Sequence, residues 1–512
     1  MEPMKWVHFC LVKFIDLAFN AFRKEEENHY RGCAMGIRTV EEYKDSLRDG
    51  RRVYLRGEKV EDVTRHPILG VSVDTVAQGF ALTASEDLEV RNLFRAPHPK
   101  TGEPINRYFI TPRTAEDLAL RTKMIQRSIE LTGGLPFGKD IGTDCLNAAF
   151  VVAGQMGKKQ YQENALNFLE YIRKNDLAMC GAVTCVKGDR SKEPSQQKHP
   201  DYYLHVIDKS KDGIVVKGAK IHITSAPVAN EIIVVPTRQM RESEADYAVS
   251  FAVPANSKGI TFICRAGRGQ WSEHEFHPNN PVRELTEAMI VFDNVFVPWD
   301  RVFMCGEWQF SMLLAYTFAT FHRFTAISYK VPAVEVMAGC AVALAEYNGL
   351  EKVGHVRDKL ADIAAYVETL RALANAAAKD PVMYGEIAVP NPLIANMAKL
   401  HFASKYHEFV KLIQDIAGGL LATSPDRKDW ENPDIHGYLE HYLGGSAKFS
   451  TEDRLKMIAA AQRMVCSHES AFHEVTTVHA EGSMAAQKMM ILFESPLKRY
   501  REMARRAAGI TA

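Results

Sequence analysis

The stretch FHRFTAISYK holds the residues with the clearest chemical potential. His322, Ala326 and Tyr329 lie at i, i+4 and i+7, so a helix there carries an imidazole and a phenol on one stripe, with Lys330 at its edge. Of these groups the imidazole is the one whose ordinary titration range suits proton transfer near neutrality, which makes His322 the best base among them. His468-Glu469 with His473 comes close to a zinc-binding helix. Its second histidine falls five residues on instead of four, so the two rings do not share a face, and solvated helix polars are the expectation. Cys180 and Cys185 have no second pair to complete a metal site, and no metal is expected in this chain. No Gly-x-Gly-x-x-Gly follows a strand-like run and no Walker-type loop is present, so neither common nucleotide fingerprint applies.

Three regions must position these groups. From about Thr39 to Asp176, EEYKDSL, EDLALRTKMIQRSIELTGG and ENALNFLEYIRKNDL space their apolar residues by three and four, which predicts helices; Gly133-Gly134 is a natural stop for the second. From about Leu177 to Val302 the period changes. YYLHVIDKSKDGIVVKGAKIHIT, EIIVVPT, YAVSFAVP, GITFICRA and MIVFDNVFVP are short, β-branched and bounded by turn formers, and Lys211-Asp212-Gly213 reads as a hairpin turn. From about Phe310 to the end long helical patterns return, such as KLADIAAYVETLRALANAAAKD. Helices, then strands, then helices make an α+β order, not a doubly wound one.

Composition sets the outer limits. A chain of 512 residues with 46% hydrophobic side chains can bury a large core, spread over about two to four domains. Lys+Arg and Asp+Glu are both 63, so the net charge is zero and there is no electrostatic reason to expect nucleic acid or an anionic membrane as partner. The nine cysteines are scattered and odd in number, which suits a reducing cytoplasm. Near the N-terminus, Lys13, Asp16 and Asn20 interrupt the apolar run from Trp6 to Phe22. It is too short to span a bilayer and no small-residue cleavage site follows. Either it is an amphipathic surface helix or the folded protein starts at Met35.

TVEEYKDSLRDGRRVYLRGEKVEDVTRHP, GAVTCVKGDR, DGIVVKGAKIHITSA, MIVFDNVFVPWDRVF, FHRFTAISYK, IQDIAGGL and a terminal AAGI occur in order at compatible spacing. Together, from about Thr39 to the C-terminus, they resemble the family that contains 4-hydroxyphenylacetate 3-hydroxylase and 4-hydroxybutyryl-CoA dehydratase, with the dehydratase side the more similar. The resemblance implies an acyl-CoA-dehydrogenase-like fold: an N-terminal helical domain (35–176), a central β-barrel or sandwich domain (177–310) and a C-terminal four-helix bundle (311–512), assembled as a homotetramer, with 1–34 an extension outside the fold. It also implies FAD. Thr184 and the Thr224-Ser225 pair match positions that face the flavin, where short hydroxyls and backbone N–H groups suit the ring edge. Gln414 with Gly418 and Gly419 resembles a motif that touches FAD from a neighbouring subunit, where glycines permit close backbone approach.

The catalytic positions match neither relative completely. The dehydratase holds an iron–sulfur cluster with one histidine and three cysteines. Here the histidine (His322) and the following lysine (Lys330) persist, while Ala326 replaces a tyrosine and Tyr329, Pro136 and Asp140 replace the cysteines; Cys145 is displaced from either nearby ligand position. One imidazole does not hold a cluster that needs thiolates. A dehydratase glutamate becomes Thr476, three residues before His479, whereas Glu287 is retained. The hydroxylase pattern has a histidine where this chain has Gly181, and LTGGLPFGKD lacks its Arg and Tyr. The implied catalytic set is therefore His322, Glu287 and Lys330. The first expectation is an FAD-dependent monooxygenase that receives reduced flavin from a separate reductase and hydroxylates a small organic substrate, with aromatic ones among the candidates. An acyl-CoA dehydratase or isomerase without a cluster is the alternative, and a flavin-binding non-catalytic paralogue supporting a partner chain is the third.

Overall fold

The computed structural model describes residues 36–133, 136–265 and 285–510, so the N-terminal extension lies outside the described residues. The described residues divide into two compact units: one holds those from 36 to 265, 285–325 and 383–389, the other holds 326–382 and 390–510.

The first unit opens with helices α1 (Val40–Ser46), α2 (Leu69–Thr83), α3 (Leu88–Phe94), α4 (Ala115–Thr132), α5 (Asp140–Met156) and α6 (Lys159–Asn175). Their ends follow local chemistry. Thr39 with Glu42 and Thr114 with Asp117 form capping boxes, and α4 stops at Gly133, which takes a left-handed φ of 66°. The region read as wholly helical also supplies strands β1 (Val53–Leu55) and β2 (Glu58–Val60), joined by Arg56-Gly57, both at positive φ. A further short antiparallel pair, β3 (Arg95–Pro97) and β4 (Pro104–Asn106), lies between α3 and α4.

The later strands follow the alternation read from the sequence: β7 (Gly213–Thr224) buries alternate residues and pairs with β6 (His205–Lys209) across the Lys211-Asp212-Gly213 turn. With β1, β2, β10 (Ile260–Cys264) and β11 (Glu287–Pro298) they build a six-stranded sheet in the order β2-β1-β10-β11-β7-β6. A second sheet takes β5 (Met179–Ala182), β8 (Glu231–Val234), β9 (Val249–Pro254) and β12 (Val302–Cys305), in the order β12-β9-β8-β5. Val216, Ile223, Phe262, Ile290 and Phe292 of the large sheet share one core with Ile232, Val234, Phe251 and Val253 of the small one. The barrel alternative is therefore corrected. Among the described residues the sheets do not close, and the large one ends in exposed charged edges, Glu58 and Lys59 on β2 and Asp208 and Lys209 on β6, which resist further pairing.

Helix α7 (Trp308–Tyr347) begins in the first unit and continues into the second, with Pro332 inside it. It is apolar and long enough to cross a membrane by composition, but 61% of its apolar window is buried within the protein, the pattern of a core helix. In the second unit α8 (Gly354–Lys379) packs on α9 (Pro392–Ala417), where the Tyr366 ring meets Phe402 and Phe409. Helix α9 also packs against α10 (Thr451–Val465), α11 (His468–His479) and α12 (Met484–Glu494), and α13 (Leu497–Ala507) follows.

Candidate functional site

In the first unit the ends of β7 and β11 bring several expected flavin-facing residues together. Thr224 ends β7 opposite Glu287, which begins β11, and the Thr224 hydroxyl donates to Glu287 Oε1 at 2.7 Å. Burial pushes the Glu287 carboxyl up, against the opposing pull of Thr224 and Arg265. Ser225 turns the chain at φ 60°, donates its N–H to Thr286 O, and keeps a buried hydroxyl with no partner among the described residues. Thr184 lies against the same strand, its carbonyl accepting from Ile221 N at 2.8 Å. The loop that carries it is pinned by a residue the sequence did not flag. Lys220 is 1% exposed and donates Nζ to Val183 O (2.7 Å) and Val235 O (2.9 Å), while Thr237 bonds both Val183 O and Cys185 N.

His322 belongs to this unit too, on the first part of α7. Its ring stacks on Phe318 with centroids 5.2 Å apart, and Nδ1 lies 3.4 Å from Asp144 Oδ2. Asp144 is fully buried on α5. Its other oxygen, Oδ1, accepts from Arg121 Nη2 on α4 (2.8 Å) and from Thr325 Oγ1 on α7 (3.1 Å). Arg121 also reaches Thr143 Oγ1 and the carbonyls of Asp140 and Tyr108, so it ties α4 to the first turn of α5. Phe318, His322 and Thr325 fall at i, i+4 and i+7 on α7. Asp140, Asp144 and Asn147 have the same spacing on α5. That second stripe, three polar residues in a largely apolar helix, is the sequence signal that marks this cluster. Asp140 is buried beside Asp144, and burial first, the like charge second, push its carboxyl up to about 7 despite Arg121.

Lys330 sits in the helical unit, in different company. It is 1% exposed and donates Nζ to both oxygens of Glu481 at 3.0 Å and to the Tyr329 hydroxyl at 2.7 Å, while Tyr329 donates to Glu481 Oε1 at 2.6 Å. Lys399 adds an ion pair to Glu481 at 2.9 Å and donates to the carbonyls of Thr477 and Val478 at the end of α11. Glu481 itself holds φ at 59°, a conformation that costs a non-glycine residue about 1–3 kcal/mol unless its surroundings enforce it. Burial lowers Lys330 to about 7, against the attraction of Glu481. Gln414 is exposed near the end of α9 and donates Nε2 to Val465 O at 2.5 Å; Gly418, at φ 74°, and Gly419 have open space where a Cβ would stand.

Two family models cover this chain: the 4-hydroxyphenylacetate 3-hydroxylase N-terminal model matches residues 39–304 and the C-terminal model residues 312–509. The chain belongs to the 4-hydroxyphenylacetate 3-hydroxylase family. It is 33% identical over 494 residues, 93% of this chain and 100% of the relative, to 4-hydroxybutyryl-CoA dehydratase/vinylacetyl-CoA-Delta-isomerase of Clostridium aminobutyricum. It is 30% identical to the oxygenase component of 4-hydroxyphenylacetate 3-monooxygenase of Thermus thermophilus, over 86% of this chain and 90% of that one. Among solved structures, the oxygenase component of 4-hydroxyphenylacetate 3-monooxygenase complexed with FAD superposes with a TM-score of 0.83 at 27% identity, covering 92% of this chain and 98% of that one.

Membership in the family sharpens two departures. At Gly181, where the hydroxylase pattern has a histidine, an added Cβ would stand 2.7 Å from Ile141 Cγ2 and 2.8 Å from Cys145 Sγ. Helix α5 packs over that position, so a larger side chain there requires Ile141 and Cys145 to shift. The same contact shows where Cys145 points: toward β5, while Asp144, its neighbour, turns to His322.

Proposed function

We propose that this family member is the oxygenase component of a two-part monooxygenase: it takes FAD reduced by a separate reductase and hydroxylates a small organic substrate that carries an acidic hydroxyl, such as a phenol. The observation that carries the reading is His322, an imidazole stacked on Phe318, with Nδ1 turned to a buried carboxylate. That leaves Nε2 as the atom able to take the substrate's hydroxyl proton.

The residues present fit the cofactor. The unpartnered Ser225 hydroxyl is a donor in need of an acceptor, and the flavin's carbonyl and nitrogen edge offers several. Thr184 and Thr224 flank it on the same strand system, and burial pushes the Glu287 carboxyl up toward its neutral form. Gln414, Gly418 and Gly419 form an exposed patch that would serve the FAD of a neighbouring copy in a homotetramer. Reduced FAD, when bound, supplies the two electrons that split dioxygen, one atom entering the substrate as hydroxyl and the other leaving as water. His322 deprotonates the substrate hydroxyl, which raises electron density on the ring carbon to be oxidised. The described cysteines are free thiols, in keeping with a reducing cytoplasm.

A second reading rests on the 33% identity with the Clostridium dehydratase: cluster-free dehydration or isomerisation of an acyl-CoA, with His322 or Glu287 moving the proton. One experiment separates the two. Purified protein receives photoreduced FAD and either 4-hydroxyphenylacetate or another simple phenol in air, or 4-hydroxybutyryl-CoA without air. Hydroxylated product in proportion to oxygen consumed is the expected result. An unsaturated CoA ester with no phenol oxidation establishes the second reading. FAD binding without either product points to a non-catalytic paralogue.

A further inference from the structure

Asp144 is a fully buried carboxylate whose two oxygens are used differently. Oδ1 is saturated by Arg121 Nη2 and Thr325 Oγ1, both donors, while among the described residues Oδ2 is paired with His322 Nδ1 alone. A guanidinium cannot give up its proton, so Arg121 at 2.8 Å keeps Asp144 ionised and acceptor-only. The polar groups facing this pair come from three helices: Arg121 from α4, Asp140 and Thr143 from α5, Thr325 from α7, with the Phe318 ring closing one face of the imidazole. None of them offers a second hydrogen-bond partner to Nδ1. An ionised carboxylate at Nδ1 requires that nitrogen to carry the proton, and neutral imidazole has only one. Nε2, in a side chain that retains 16% exposure, is then the basic nitrogen.

We propose that Asp144, held ionised by Arg121, is a positioning residue that locks His322 in the Nδ1–H tautomer and so makes Nε2 the proton acceptor. The assignment rests on the reading of His322 as base, yet its physical content does not depend on turnover. Free histidine prefers the opposite tautomer, Nε2–H, which would aim a donor at the substrate where an acceptor is needed. Asp144 reverses that preference.

The test is ¹⁵N NMR of the intact chain labelled at its histidine imidazoles, at a pH where His322 is neutral, with His322→Asn identifying the resonance. The expected result is a protonated Nδ1 and a bare Nε2 in the native protein, replaced in Asp144→Asn by the Nε2–H tautomer or a mixture. Because Asp144→Asn leaves Arg121 without its anion and can compromise folding, the native spectrum is decisive by itself: Nε2–H there overturns the proposal. An unchanged tautomer in folded Asp144→Asn overturns it too. With a phenol substrate, the same variant should lose about 100-fold in kcat with KM and FAD affinity little changed, an effect in the range of a lost positioning partner. If FAD binding or hydroxylation fails in the native protein while the tautomer is as expected, the function reading falls and the role of Asp144 stands.

Discussion

Two buried carboxylates take their partners from α7, and they have been treated in opposite ways. Asp144, in the sheet-containing unit, is matched by one arginine and leaves its third partner, His322, partly exposed. Glu481, in the helical unit, is matched by two lysines and a tyrosine. Both lysines and the glutamate are essentially without exposure. The first arrangement fixes a reactive group and keeps one atom of it available. The second encloses every charge it contains. Charge clusters with perturbed protonation are often catalytic, but a sealed one has no atom left to offer. By this criterion Lys330 groups with the structural ion pairs, and His322 keeps the role proposed for it.

The largest effect should come from breaking the sealed cluster. Glu481→Gln leaves two buried ammonium groups without a counter-ion and relaxes nothing else of equal charge. A loss of roughly 3–5 kcal/mol is expected, the usual result of removing one partner of a buried pair. Chemical denaturation followed by helix signal measures it. A loss below about 1 kcal/mol would mean the lysines find other partners or shed their protons, and the distinction between sealed and open clusters would weaken.

The open cluster should respond in rate and not in stability. His322→Gln is expected to lower kcat by about 10²–10⁴-fold, the range for a lost general base. Its melting temperature should stay within about 3 °C of the native value, since the ring lies at a partly open edge. A variant that melts early and retains proportionate activity would place His322 among the packing residues.

How much of this was legible in the sequence follows from the range of each signal. The helix–strand–helix order was readable because β7 and β11 alternate over twelve residues each. Strands β1 and β2 hold three residues each, too few to show a period, and beyond its local partner β2, β1 finds its other neighbour, β10, only in space, with Val53 beside Phe262. The same limit divides the site. His322 and Lys330 stood out because FHRFTAISYK is a local motif. Arg121 and Asp144 are ordinary helix residues until the fold brings α4 and α5 to α7. The Asp140-Asp144-Asn147 stripe was a local clue: an apolar helix places a polar residue every turn only when something polar faces it. Nothing local marks Glu481, whose left-handed φ and two lysine partners belong to the folded unit alone.

Asp140 gives the smallest and most discriminating effect, because it lies beside the open cluster without pairing to a cation through its carboxyl. Its folded value, about 7, stands above the ordinary carboxylate value of 3.8. The folded protein therefore retains this proton where the unfolded chain has released it. The stability that proton confers is full below the unfolded value and is lost as pH rises from 3.8 toward about 7, where a second anion is forced next to Asp144. Asp140→Asn removes the titration and keeps an oxygen to accept from Ile141 N. Below the unfolded value of 3.8 the variant should match the native protein closely; the gap opens as pH rises through the window, and at pH 8 the variant should be the more stable of the two, by about 1–3 kcal/mol once water penetration is allowed for, or on the order of 2–8 °C in melting temperature for a domain this size. Parallel melting curves across that range measure the difference. If the two curves run together from pH 5 to 8, Asp140 is no longer protonated in the fold, and the Arg121 site must then be accommodating two anions instead of one.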